Sequence, residues 1–330
     1  MIFATYEDRP AAMVGIEILA RSLRHHNPSH SLTVWSPLER QAATGLSEDD
    51  VDWRVTSDLD GLGWNVKPTI LLRSLQESPR AMWIDSDIVI ISSLARAITI
   101  PSEYLVVSQE FRCAGSPGSE VRVAGWGWPV TRTMPLHVNS GAMIASRAHE
   151  PLLCAWERQM KSEAYQAAQR ILPVTARPTH LLGDQDVLWA LLCAEHATVP
   201  VTYLRNGSDI IQDSGANGYH ILDRIGSWRG SDAMLVHALG KTKPWHFDER
   251  AAQLAAGIGY LAWATHELSA YFVAASAYGD VLGNPTWLRR RNALAQVIGT
   301  LAPRNLAVQG LPLAFVAWLA AWNGDRLKKR

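Results

Sequence analysis

Apolar residues in the first two thirds of the chain alternate between short continuous runs and runs with helical spacing. The runs at 2–6 (IFATY) and 31–35 (SLTVW) have the length of buried strands. Between them, Pro10 opens a segment whose apolar residues recur every three or four positions as far as Leu23, which predicts a helix. Such alternation is typical of an α/β fold, in which helices cover a mainly parallel sheet.

The alternation continues beyond residue 35. We predict a helix over 68–75, a strand over 105–108, and one buried strand over 80–91, where the apolar runs AMWI and IVII flank a short acidic break. Residues 111–138 contain several glycines and prolines without helical spacing. They predict a long loop of the kind that serves as a lid or a binding loop.

The last 80 residues or so are rich in Ala, Leu and Trp and predict helices throughout. His266 and Glu267 interrupt the apolar stretch at 254–279, which argues against a membrane span. The uncharged run at 311–322 reaches only about 18 Å as a helix and precedes a basic end. Peripheral docking on an anionic membrane, packing on the domain, and a partner or homodimer interface all remain open.

The amino-acid composition argues against several classes of protein. The 330 residues include 31 basic and 31 acidic ones, so the net charge is zero, which argues against a protein that mainly binds nucleic-acid phosphates. With 48% hydrophobic and 19% charged residues, the chain is not intrinsically disordered. Three scattered cysteines and no signal-like start predict a cytoplasmic protein, with a possible peripheral position at the inner face of a membrane.

Four Asp-x-Asp tripeptides occur, and their surroundings distinguish them. Those at 50–52 and 58–60 lie in polar stretches and predict solvated loops, and the one at 184–186 precedes an apolar helical run that either aspartate could cap. Asp85 and Asp87 lie between apolar runs, where alternate strand residues face one side. Two such carboxylates suit Mg²⁺ or Mn²⁺, and the alternative is a strand end capped by water.

Two further patterns join polar groups to apolar strands. His237 follows the apolar run at 233–236 and begins the pattern H-x-x-G-x-x-K-P-W. An imidazole there could be a third metal ligand beside a phosphate-binding loop, although a single histidine is more often structural. Asn139 begins NSGAMI, and its alternative role is that of a turn residue.

Taken in order, Lys67, IDSDIVI, NSGAM, GDQDVL and HALGKTKPW resemble glycosyltransferase family 8 over residues 2–247. The resemblance implies a GT-A-type fold: a mixed, mainly parallel sheet flanked by helices. It also implies Mn²⁺ (or Mg²⁺), a UDP-hexose donor such as UDP-glucose or UDP-galactose, and retention at the anomeric carbon. We therefore expect a catalytic domain at 1–247 and a helical extension at 248–330.

The resemblance also implies roles for individual residues. It implies a metal site of Asp85, Asp87 and His237, and catalytic positions at Asp184 and Gln185. It implies contacts to the nucleotide, diphosphate or sugar of the donor at Thr5, Tyr6, Asp8, Lys67, Asp85, Ser86, Asn139, Ser140, Gly240 and Lys243. Exposed indoles at Trp126 and Trp128 could stack on an acceptor glycan, glycolipid or small molecule, or could instead fill a small core.

The sequence allows more than one mechanism and more than one class of function. Gln185 is a poor nucleophile, which favours same-face attack, while Asp184 or Asp186 could act as a nucleophile or a stabiliser. A sugar nucleotidyltransferase would share the acidic site but should carry a glycine-rich basic loop after the first strand, which Tyr6–Arg9 lacks. A silent scaffold that binds glycans or membranes need not keep the acidic pair, His237 and Lys243.

Overall fold

The computed structural model describes residues 1–40, 45–47, 50–110, 118–213, 219, 221–228, 233–240, 243–254, 257–302, 305–312 and 314–315. Its strands are β1 (Ile2–Tyr6), β2 (Leu32–Ser36), β3 (Val51–Val55), β4 (Arg80–Ile84), β5 (Ile88–Ile90), β6 (Leu105–Gln109), β7 (Val138–Ser146), β8 (Val201–Leu204), β9 (Ile210–Asp213) and β10 (Leu235–Ala238). Its α-helices are α1 (Met13–His26), α2 (Lys67–Glu77), α3 (Ala95–Ile98), α4 (Ser119–Gly125), α5 (Glu150–Met160), α6 (Glu163–Gln169), α7 (Asp184–Cys193), α8 (Ile221–Trp228), α9 (Glu249–Leu254), α10 (Ile258–Glu267), α11 (Ala270–Ala275), α12 (Ala293–Leu301) and α13 (Leu306–Gln309).

The described residues form two compact units. The first comprises Met1–Met13, Ser29–Ser86 and Leu94–Leu204, and the second comprises Val14–Pro28, Asp87–Ser93 and the described residues from 205 onward. The described residues between 205 and 247 therefore belong to the second unit, although the sequence predicts a boundary at 247. Compactness does not define a catalytic domain, so the assignment of that domain to 1–247 stays a prediction.

Among the described residues of the first unit, seven strands form a sheet in the order β3-β2-β1-β4-β7-β6-β8. Strand β7 runs antiparallel to both of its neighbours, and the other pairs are parallel. The predicted strands at 2–6, 31–35 and 105–108 are confirmed within one residue at either end. The predicted fold class, a mixed, mainly parallel sheet flanked by helices, is therefore confirmed.

Helices α2, α5 and α7 bury apolar faces in one core cluster of the first unit. Helix α2 begins with Pro68 in its first turn, where a missing amide hydrogen costs nothing, and it buries Ile70, Leu71 and Leu75 at helical spacing. Trp156 of α5 is wholly buried, and its indole nitrogen donates to the Asp184 carbonyl oxygen at 2.9 Å. These contacts fix the starts of α2 and α7, where polar side chains gather.

Two local predictions are wrong. Residues 80–91 form two strands that belong to different sheets, because the chain turns at Asp85–Asp87 and β5 pairs with β10 instead of extending β4. Residues 119–125, predicted as part of a loop, form helix α4. Its seven residues are too few for a clear period, and burial of Val123 in the core stabilises the helix. Residues 111–117 of that segment lie outside the described residues.

The second unit contains a sheet in which β10 lies between β5 and β9, antiparallel to the former and parallel to the latter. Helices α9 to α13 follow, as the sequence predicts for the C-terminal residues. Within the part of the chain that the structure describes, no helix is both long and apolar enough to cross a membrane. Most of the apolar run at 311–322 and the basic end lie outside the described residues.

Candidate active site

A buried lysine lies at the centre of the polar cluster in the first unit. Lys67 is the first residue of α2, and its Nζ lies 3.1 Å from Asp85 Oδ1, 3.3 Å from Asp184 Oδ2 and 2.9 Å from Ser140 Oγ. The Ser140 hydroxyl donates to Asp184 Oδ2 at 2.6 Å. The ends of β4, β7, α2 and α7 thus bring together three predicted donor contacts, Lys67, Asp85 and Ser140, and the predicted catalytic position Asp184.

The electrostatics of this cluster keep Lys67 charged. Burial alone would lower the pKa of Lys67, but the negative charges of Asp184 and Asp85 have the larger effect. The pKa of Lys67 is therefore raised. Asp85 is fixed on its other side as well, because the Trp83 indole donates to its Oδ1 at 2.7 Å. Its backbone amide donates to the Gly141 carbonyl oxygen at 2.8 Å. The cluster is therefore an ordered ion-pair network in a mostly buried position.

In the second unit, Asp87 is held by two cationic or potentially cationic groups. Its Oδ1 lies 3.1 Å from His237 Nε2, and its Oδ2 accepts a hydrogen bond from Lys243. Strand register explains the first contact, because His237 pairs with Ile88, the residue after Asp87. Burial alone would raise the pKa of Asp87, but the charges and hydrogen bonds of His237 and Lys243 have the larger effect. They hold the pKa of Asp87 below its usual range.

Gly240 allows the chain to turn between His237 and Lys243. Its φ of +105° lies in the region that favours glycine, and a Cβ there would meet no atom within 4 Å. The constraint at this position is therefore conformational. Lys243 Nζ also donates to the Ala238 carbonyl oxygen at 3.0 Å, so the Lys243 side chain lies over the end of β10.

Glu110, which the sequence analysis did not single out, joins two predicted site residues in the first unit. Asn139 donates to Glu110 Oε2 at 2.8 Å, and Gln185 donates to the same oxygen over 3.5 Å. Asn139 Oδ1 in turn accepts from the Gly141 amide at 2.9 Å. The available signal was an acidic residue two positions after the predicted strand at 105–108.

Glu7 is a second site residue that the sequence analysis missed. This buried carboxylate accepts from the Ser86 hydroxyl at 2.7 Å and forms a two-point ion pair with Arg9 at 2.7 and 2.8 Å. Ser86 is the residue between the two aspartates. Glu7 therefore fixes the middle of the Asp85–Asp87 tripeptide.

The predicted nucleotide contacts at the end of β1 lie in different environments. Thr5 is wholly buried, and its hydroxyl has no hydrogen-bond partner among the described residues. Tyr6 is buried and donates to the Leu59 carbonyl oxygen at 2.6 Å. Asp8 is less buried, and its Oδ2 accepts from the Gly63 amide at 3.3 Å. Asp8 is thus the most accessible of the three.

Asp186 and the two tryptophans lie on the α4 side of the first unit. Burial raises the pKa of Asp186 to about 6 although Arg122 Nε lies 2.8 Å from its carboxylate. Trp126 and Trp128 stack with centroids 5.2 Å apart and pack, partly buried, against the core. Their role in acceptor binding stays a prediction.

The sheet order, the antiparallel β7 and the flanking helices define a GT-A-type α/β fold. No protein-family model matches the sequence, and no significant sequence match to a curated protein is found. The chain is similar in structure to the galactosyltransferase LgtC in complex with donor and acceptor sugar analogues: TM-score 0.50 and 16% identity, over 87% of this chain and 96% of that one. An active-site mutant of LgtC gives a TM-score of 0.52 and 14% identity, over 86% and 95%. At identities of 14–16%, these similarities show the fold. The predicted resemblance is thus confirmed at the level of the fold.

Proposed function

We propose that the chain is a metal-dependent, retaining hexosyltransferase that moves glucose or galactose from a UDP-sugar to an acceptor hydroxyl in glycan or glycolipid synthesis. One observation carries this proposal. Each aspartate of the Asp-x-Asp tripeptide is charge-paired within its own unit: Asp85 with Lys67 in the first, and Asp87 with His237 and Lys243 in the second. A nucleotide-diphosphate sugar needs both a cationic site for its phosphates and polar groups around its sugar.

The residues available fit a divalent metal ion. Asp85, Asp87 and His237 offer two carboxylates and an imidazole, which suit Mn²⁺ or Mg²⁺. Because only Ser86 separates the aspartates, chain geometry alone keeps their Cα atoms within about 7 Å. When bound, the ion stabilises negative charge on a departing diphosphate.

Lys243 and Gly240 would bind the diphosphate. The ammonium group of Lys243 is paired with Asp87 and can donate to phosphate oxygens from the same position. Gly240 lets its loop approach those oxygens closely. Lys67, Ser140 and Asn139 would orient the donor sugar, and Asp8 would contact the nucleoside.

The environments of the acidic residues favour attack on the same face of the sugar. Asp184 is occupied by Lys67 and Ser140, and Asp186 is paired with Arg122. Neither carboxylate is placed as an uncommitted nucleophile, and Gln185 is a poor one. We therefore assign Asp184 and Gln185 to stabilising positive charge on the sugar ring, while the departing phosphate oxygen takes the proton of the acceptor hydroxyl.

The test is UDP release from UDP-glucose and UDP-galactose with Mn²⁺. Asp87→Asn and His237→Ala are each expected to lower the rate at least about 100-fold, the scale of losing a main electrostatic contribution to catalysis. Asp58→Asn is the matched control, because Asp58 belongs to another Asp-x-Asp tripeptide and its side chain is 60% exposed. Full activity in Asp87→Asn would contradict the metal assignment.

A further inference from the structure

Trp64 is an exposed tryptophan three residues before Lys67, and it has no role in the proposed donor site. It lies in the 3-10 turn Gly63–Val66, which leads directly into α2, and 52% of its surface is exposed. Leaving an indole in water is unfavourable, and the cost is recovered when a ligand covers the ring. Exposure alone is common for single apolar side chains, so the significance of Trp64 depends on where its ring lies and how it is held.

The turn that carries Trp64 is held in place on both sides. Tyr165 is wholly buried, and its hydroxyl donates to Asn65 Oδ1 at 2.8 Å and shares a side-chain hydrogen bond with Trp64. On the other side, the Gly63 amide donates to Asp8. An indole held in this way loses little conformational entropy when it binds a ligand.

The turn Gly63–Val66 connects Trp64 directly to the start of α2, where the residues proposed to orient the donor sugar lie. Lys67, which binds Asp184, is three residues after Trp64, or one helical turn. A molecule resting on Trp64 would therefore meet the donor sugar, which is the position of an acceptor.

The other candidate indoles in the first unit are less available. Trp126 and Trp128 cover one another, with ring planes 11° apart, and both pack against the core. A pyranose has an apolar face of C–H groups and a rim of hydroxyl groups, so it suits a flat aromatic ring with polar groups beside it. Trp64 follows Gly63, whose amide donates to Asp8, and precedes Lys67 by three residues, so its turn carries polar groups beside the ring.

We propose that Trp64 is a stacking platform for a pyranose ring of the acceptor. This inference rests on the proposed function and names the acceptor subsite of the same site. It identifies the acceptor as a sugar presented with one open C–H face, which a protein hydroxyl or a purely aliphatic alcohol would not offer.

The test uses the full chain with UDP and Mn²⁺ on an array of immobilised glycans, followed by titration of the glycan that binds best. Trp64→Ala should weaken glycan binding about tenfold, equivalent to about 1.4 kcal/mol. Trp64→Phe should keep most of it, because a flat ring remains. Tyr104→Ala is the matched control, since Tyr104 is also exposed but lies at the opposite end of β6 from Glu110.

UDP-dependent thermal stabilisation is measured for every variant, so that a failure of the donor site is separated from a failure of this subsite. It should stay unchanged in Trp64→Ala. Unchanged glycan binding in Trp64→Ala would overturn the inference, and so would loss of the UDP response, which would place the nucleobase on Trp64. A wild-type chain that responds to UDP and binds no glycan would also overturn it. No UDP response in the wild-type chain would contradict the proposed function instead.

Discussion

At the scale of single residues, the site depends on buried charges that compensate each other. Lys67 is 5% exposed at its side chain and lies between Asp85 and Asp184, which are 24% and 10% exposed. A buried ammonium group is tolerated only with such partners, and the carboxylates need it equally. The first residue of α2 is therefore both structural and a proposed donor contact.

Lys67→Met should lower the free energy of unfolding by about 3 kcal/mol, because it leaves Asp184 in a low-dielectric site without its cation. Urea denaturation measures this change. Lys161→Met is the control: Lys161 forms an ion pair with Glu157 at 3.1 Å but is 67% exposed, so its loss should change stability by less than about 1 kcal/mol. Equal effects in the two variants would contradict the account of the cluster.

His266 should make stability depend on pH. Its ring lies parallel to Phe247 with centroids 4.1 Å apart, and burial lowers its pKa to about 4 from the usual 6.5. The folded state thus favours the neutral imidazole, so this residue's contribution is complete above pH 6.5 and is lost as pH falls towards 4. The loss should amount to about 3 kcal/mol.

Chemical denaturation between pH 7.5 and 4 in His266→Gln and wild type checks this dependence. The difference in unfolding free energy between the two should shrink as the pH falls. His25→Gln, which changes an exposed histidine, should follow the wild-type curve. A constant difference between His266→Gln and wild type would rule out His266 as the titrating group.

At the scale of elements, tertiary contacts decide what local pattern leaves open. Helix α4 lies in a segment rich in glycine and proline, and Arg122 links it to α7 through Asp186 and lies over the Trp189 ring, 4.1 Å from its centroid. These partners are more than 60 residues away in sequence. A short helix of this kind forms because the rest of the unit is folded.

Arg122→Met should lower the free energy of unfolding by about 3 kcal/mol, because the buried Asp186 carboxylate loses its partner. The double variant Arg122→Met/Asp186→Leu should recover most of that loss, since no buried charge remains. Arg158→Met is the control, because its contact with Glu195 spans 3.7 Å between exposed side chains. If the double variant were as unstable as the single one, the ion pair would not explain how α4 is held.

At the scale of the whole molecule, the sequence predicts the sheet and helices well, because apolar runs report burial directly. It also identifies Asp85, Asp87 and His237 as candidate metal ligands, because acidic and imidazole groups beside apolar strands are unusual. It does not predict the turn between β4 and β5, or the partners Glu7 and Glu110. Ser86 and Glu7 are 79 residues apart, and nothing in a local pattern reports such a contact.

Membrane contact, a homodimer and the cytoplasmic location stay predictions. The first two depend on the C-terminal residues, and most of the apolar run at 311–322 and the basic end lie outside the described residues. Arg224 donates to the carbonyl oxygens of Leu306 and Ala307 and so fixes α13 within the second unit. A truncation that tests membrane binding should therefore end after 315, which leaves this anchor intact.

The central claim of the proposed function is metal-dependent binding of a nucleotide diphosphate. The most direct measurement is thermal stability of the full chain with UDP, GDP, CDP, dTDP or ADP, each with and without Mn²⁺. The account predicts stabilisation by UDP that requires Mn²⁺ and disappears in Asp87→Ala, because only the native state holds the complete site. Asp58→Ala should respond as the wild type does. No response to any nucleotide in a folded sample would contradict the account.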